Sequence, residues 1–125
     1  MNKTALIIED DEDLADIFAE ALRSIGYTVE NAIDGKIAQD RLNVGEPPFL
    51  ILLDMHLPHI SGKQLLKEMK STDRFNQTWI FITTADARLA EEHRDQVDIA
   101  LIKPILYGQL RDLAIRLKPK DQVHL

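Results

Sequence analysis

Four short apolar runs punctuate the chain: ALII (5–8), FLILL (49–53), WIFIT (79–83) and IALI (99–102). None alternates with polar residues, so each predicts a strand buried on both faces. Strands of that kind belong to parallel sheets, whose neighbours need crossovers of a dozen or more residues. Helical patterns fill the gaps. Leu14, Ile17, Phe18, Ala21, Leu22 and Ile25 recur on one helical face, and Gly26 ends that helix. Residues 34–42 predict a short helix that buries Ile37, Ala38 and Leu42. Ser61 can cap a third helix burying Leu65, Leu66 and Met69. ADARLAEEHRDQ (85–96) predicts a fourth with a weak apolar face. Leu106, Leu110, Leu113 and Leu117 mark a fifth, stopped by Pro119. YTVEN (27–31) alternates and suits an edge strand. The order βαβαβαβαβα, with right-handed crossovers, gives an α/β fold: a doubly wound, five-stranded parallel sheet with five helices.

The 125 residues suit one domain, and 45% hydrophobic content is enough for a core. We expect it to cover residues 1–118, with 119–125 as a tail or the start of a linker. No segment has the length of a signal-peptide core or a membrane span. Cysteine is absent, which excludes disulfides and thiolate chemistry and agrees with a reducing compartment. The net charge of −6 disfavours direct nucleic-acid binding.

Each buried run ends in a polar group: Glu9 and Asp10, Asp54, Thr84, and Lys103. In a parallel sheet these ends share one edge, the edge at which open α/β sheets bind ligands. Three carboxylates suit Mg²⁺, a hard cation that takes few protein ligands. A carboxylate beside such a cation can attack phosphorus, Lys103 can stabilise the incoming charge, and Thr84 can donate a hydrogen bond to it. Each piece alone has an ordinary reading. Acidic residues favour helix starts, as Asp11, Glu12 and Asp13 do here, and a lone Asp after a strand often forms a turn. Joint placement in four separate strand–loop junctions favours a site.

LIIEDD at the first strand end, LLDMHLPHISG (52–62), ITTADA (82–87) and IKP (102–104) together resemble response-regulator receiver domains of two-component signalling. The resemblance covers about residues 3 to 117. It implies a CheY-like, flavodoxin-like sheet of strand order 2-1-3-4-5. It implies that Asp54 accepts a phosphoryl group from a phosphohistidine, on a sensor histidine kinase or a histidine phosphotransfer protein. It implies Mg²⁺ held by Glu9, Asp10, Asp54 and the backbone carbonyl of His56, with Thr84 and Lys103 on the phosphoryl group. Gly62 matches the glycine of the loop after the acceptor strand, and Lys103–Pro104 should be cis. The resemblance further implies a cytoplasmic protein that catalyses only its own phosphotransfer and dephosphorylation, with a homodimer on phosphorylation as one option.

The chain departs from the family three residues before the lysine, where receivers often carry a Tyr or Phe that changes rotamer. Here Ala100 stands there, and RDQVD (94–98) replaces the usual small-residue turn. The signal should then leave through residues 84–88 and the helix after them, or the domain acts as a phosphoryl relay or sink. Two other classes fit less well. A phosphatase with an Asp nucleophile usually has a second Asp where His56 stands, and the EDDED loop (9–13) would repel a flavin phosphate.

Overall fold

A computed structural model describes residues 3–122. Strands β1 (Thr4–Ile8), β2 (Thr28–Ala32), β3 (Leu50–Asp54), β4 (Trp79–Thr84) and β5 (Ile99–Ile102) form one sheet in the order β2-β1-β3-β4-β5. All four pairings are parallel. Four helices make the crossovers, α1 (Glu12–Arg23), α2 (Gly35–Leu42), α3 (Gly62–Lys70) and α4 (Ala87–His93), and α5 (Tyr107–Ala114) follows β5. The side-chain period of two sends alternate strand residues into two cores. Leu50 and Leu52 pack with α1 and α5, through Phe18, Leu22, Leu110 and Ala114. Ile51 and Leu53 pack with α2 and α3, through Ala38, Leu42, Leu65, Leu66 and Met69.

Local chemistry sets the helix ends. Asp11 accepts from the Asp13 and Leu14 amides and starts α1, and Ser61 accepts from Gln64 and starts α3. Gly26 takes the left-handed conformation expected after α1, at φ +99°. Three expectations about helix faces need correction. Ile17 and Ile37 are exposed. In α1 the face toward the sheet includes Ala15 and Ala19, small residues that allow close approach. In α2 the buried stripe is Gly35, Ala38 and Leu42, and Ile37 falls beside it. Leu106 precedes α5 rather than packing in it and is also exposed. The fourth helix is shorter than residues 85–96. Asp86 caps it through the Arg88 and Leu89 amides, and Arg94–Gln96 tighten into a 3₁₀ turn.

Asp98 comes after that turn and clamps the β4 edge. Its amide donates to the Ile80 carbonyl, and its carboxylate accepts from the Ile80 amide. Lys120 returns to the same carboxylate at 3.0 Å and lies 4.9 Å from the centre of the Trp79 ring. Trp79 also donates from Nε1 to the Lys118 carbonyl at 2.8 Å. Residues 118–122 are thus held against the N-terminal end of β4, and residues 123–125 lie outside the described chain.

Trp79 and Thr84 stand at opposite ends of β4. At ~3.3 Å per residue they are ~16 Å apart. Mg²⁺ added to the protein should therefore leave Trp79 emission unchanged. Saturable quenching would put the metal at the wrong end of the sheet.

Candidate functional site

Register explains how residues almost a hundred positions apart meet. Ile8 lies beside Leu53, Asp54 beside Thr83, and Thr84 beside Ile102, so β1, β3, β4 and β5 stop at one level. Glu9 is the next residue after β1 and Lys103 the next after β5. Backbone bonds fix both: the Glu9 amide donates to the Ala32 carbonyl, and the Lys103 amide to the Thr84 carbonyl at 2.8 Å.

One ligand atom from each of Glu9, Asp10 and Asp54 can be chosen so that all lie within 4.8 Å of one another. Among the described residues no other such group of acids and histidines is present. Glu9 and Asp54 are both only 2% exposed, whereas Asp10 is open to solvent. Lys103 Nζ stands 3.0 Å from Glu9 Oε1 and 3.5 Å from Asp54 Oδ2. Asp54 Oδ1 accepts from the His56 amide at 3.0 Å, and Glu9 Oε2 accepts from the Asp11 amide at 3.2 Å. Asp11 has its own carboxylate turned to the α1 cap and stays out of the cluster.

The charges are unbalanced, and Glu9 bears the consequence. Burial, then the hydrogen bond to Asp54, push the Glu9 carboxyl up to about 7, and the bond to Lys103 only partly offsets this. For Lys103, burial works to lower the pKa, but the Glu9 hydrogen bond and the Asp54 and Glu9 charges raise it overall. Burial and the shortage of positive charge thus both favour a proton on Glu9. Its hard oxygen donors fit a hard divalent cation.

Close backbone packing shapes the surroundings. A Cβ on Gly62 would overlap the Asp54 carbonyl oxygen and lie 2.6 Å from Met55 Cα, so α3 can begin against the end of β3 only with glycine there. The Lys103–Pro104 bond is cis, as expected. Thr84 is fully buried. Its Oγ1 accepts from the Asp86 amide at 3.0 Å and lies 3.3 Å from His56 Nε2. Sequence reasoning assigned His56 a backbone role alone and missed this side chain. Strand parity gave no signal for it, because β3 ends at Asp54 and His56 lies in the loop beyond.

The model of the response regulator receiver domain matches residues 5–114. The chain belongs to the response-regulator receiver family. This receiver is 34% identical to the transcriptional regulatory protein DpiA of Escherichia coli over 123 residues, which cover 96% of the chain and 54% of DpiA. It thus spans about half of that relative's length. It superposes on the chemotaxis response regulator CheY4 of Vibrio cholerae with a TM-score of 0.83 at 21% identity, covering 93% of this chain and 98% of that one. The response regulator TrrA of Thermotoga maritima, in complex with Mg²⁺–BeF, gives 0.78 at 22% identity, with coverages of 90% and 96%. No helix among the described residues is long and apolar enough to cross a membrane.

The geometry separates two neighbouring acids of the receiver. Asp11→Ala removes the α1 cap and should cost about 1 kcal/mol of stability while leaving Mg²⁺ binding intact. Asp10→Ala should leave stability unchanged and strongly weaken Mg²⁺ binding. Urea unfolding and calorimetry of both variants check this, and equal losses of Mg²⁺ affinity would contradict it.

The raised Glu9 pKa also sets a pH dependence. Between the ordinary value of 4.5 and about 7, the folded chain keeps a proton that the unfolded chain releases. Glu9's contribution to stability without metal therefore falls as pH rises through that window. A cation must displace the same proton, so its affinity rises across the window and levels off above it. Calorimetry should show tighter Mg²⁺ binding at about pH 8 than at about pH 6. A flat profile would mean that Glu9 is already ionised.

Proposed function

We propose that Asp54 is the phosphoacceptor of this receiver and takes its phosphoryl group from a phosphohistidine of a sensor histidine kinase or histidine phosphotransfer protein. One observation carries the reading: the buried Asp54 carboxylate ends β3 with Lys103 at 3.5 Å and the carboxylates of Glu9 and Asp10 within ligand reach. An Asp54 oxygen attacks phosphorus, the P–N bond of the donor breaks, and the imidazole nitrogen leaves with the electron pair. An acyl phosphate remains on Asp54.

The chain's own groups have separate parts in this. The His56 amide holds Asp54 Oδ1 and orients the nucleophile. Lys103 offers its ammonium to the developing phosphoryl charge, and Thr84 offers a hydroxyl to a phosphoryl oxygen. Glu9, Asp10, Asp54 and the His56 carbonyl would hold Mg²⁺, which supplies further positive charge to the phosphoryl oxygens when bound. The Mg²⁺–BeF complex of TrrA, a protein of the same fold, is consistent with this assignment.

For output, the new charge on Asp54 draws Thr84 and moves residues 84–88 together with α4. This helix is seven residues long and buries only Ala90 and His93, so its displacement costs little. Ala100, half-buried on β5, carries no torsion to follow Thr84, and that favours the rival reading of a relay without a switch.

Acetyl phosphate with Mg²⁺ should add one phosphoryl group to the protein by intact mass and none to Asp54→Asn. Undiminished uptake by the variant would refute the assignment. Amide exchange with beryllofluoride then separates switch from relay: altered protection across 85–98 marks the switch, and a change confined to the site marks the relay.

A further inference from the structure

We propose that the His56 imidazole is a positioning residue that competes with the phosphoryl group for the Thr84 hydroxyl. The inference rests on the reading of Asp54 as acceptor and adds a resting-state partner that the phosphoryl group must displace.

The hydrogen-bond partners of Thr84 lead to it. The Asp86 amide can only donate, and it does so to Thr84 Oγ1 at 3.0 Å. The hydroxyl's own proton therefore goes elsewhere, and Thr84 is 0% exposed. His56 Nε2, at 3.3 Å, is the acceptor beside it among the described residues. With the ring proton on Nδ1, Nε2 presents a lone pair to that hydroxyl. The contact matters because the hydroxyl is sealed from solvent: a buried donor left without an acceptor costs more than a typical hydrogen bond contributes.

His56 is well placed for such a role. Its amide holds Asp54 Oδ1 at 3.0 Å, so one residue contacts the acceptor carboxylate through its backbone and the phosphoryl-directed hydroxyl through its side chain. The ring itself belongs to an exposed residue. When Thr84 turns to a phosphoryl oxygen, it leaves the imidazole, and a surface ring loses its tether. On β5, Ala100 has no side chain able to follow Thr84, whereas His56 already touches it. The cost of breaking the contact is charged against phosphorylation, so the imidazole sets how readily the site accepts a phosphoryl group.

Beryllofluoride with Mg²⁺, a stand-in for the phosphoryl group on a carboxylate, tests this by calorimetry on the full chain. His56→Phe keeps an aromatic ring at an exposed position but removes the acceptor, and should bind beryllofluoride about fivefold more tightly than wild type. His56→Gln, whose amide oxygen reaches about as far as Nε2, should return the affinity toward wild type. Thr84→Val weakens binding on its own account, and in that background His56→Phe should add nothing. Unchanged or weaker binding by His56→Phe would overturn the proposal. So would a gain that persists with Thr84→Val, because the effect would then not pass through the hydroxyl. If only this inference fails, wild type still binds beryllofluoride normally. If the wild type binds none, the reading of Asp54 falls and takes this proposal with it.

Discussion

Lys103 Nζ lies 3.0 Å from Glu9 and 3.5 Å from Asp54, and Asp10 completes the cluster. One ammonium cannot balance three carboxylates, two of which are buried. Carboxylates in that position are expensive unless a proton or a cation joins them. The Glu9 carboxyl, pushed up to about 7, is the form this imbalance takes without metal. The sheet makes the imbalance possible. Three strands buried almost throughout, β1, β3 and β4, and the edge strand β5 hold their ends at one level, and parallel register brings four strand–loop junctions to the same edge. The two hydrophobic cores thus hold the charges together against their own repulsion.

The same edge explains the surroundings of the cluster. Gly62 lets α3 begin directly against the Asp54 backbone, and Asp11 turns its carboxylate away to cap α1. Only Asp10 is left open to solvent, which suits the approach of a hydrated cation from outside. Lys103 reaches the two buried acids from the loop after β5, where its raised pKa keeps it charged.

Most of this was legible in the sequence because it depends on strand periodicity and on the polar residue at the end of each strand. Glu9, Asp10, Asp54, Thr84 and Lys103 all stand where the apolar runs stop, and no tertiary knowledge is needed to see it. The resemblance to receivers then supplied the strand order. Helix faces were less legible. Periodicity marks a stripe but does not say which of two adjacent apolar residues looks inward, so Ile17, Ile37 and Leu106 were placed in the core and lie outside it. Alanines and glycine decided the α1 and α2 faces by allowing close approach, as the buried Ala15, Ala19 and Gly35 show. The His56 side chain was out of reach because it sits in the loop beyond β3. There strand parity no longer applies, and the nearby His59 takes φ +70°.

The central claim is that the carboxylate ending β3 forms an acyl phosphate. Borohydride reduction after phosphorylation reads this at the level of the residue, because it converts an aspartyl phosphate to homoserine. Peptide mapping of the reduced protein should find homoserine at position 54 and nowhere else. Homoserine at position 10, or a phosphoryl group that resists borohydride and maps to a histidine, would contradict it.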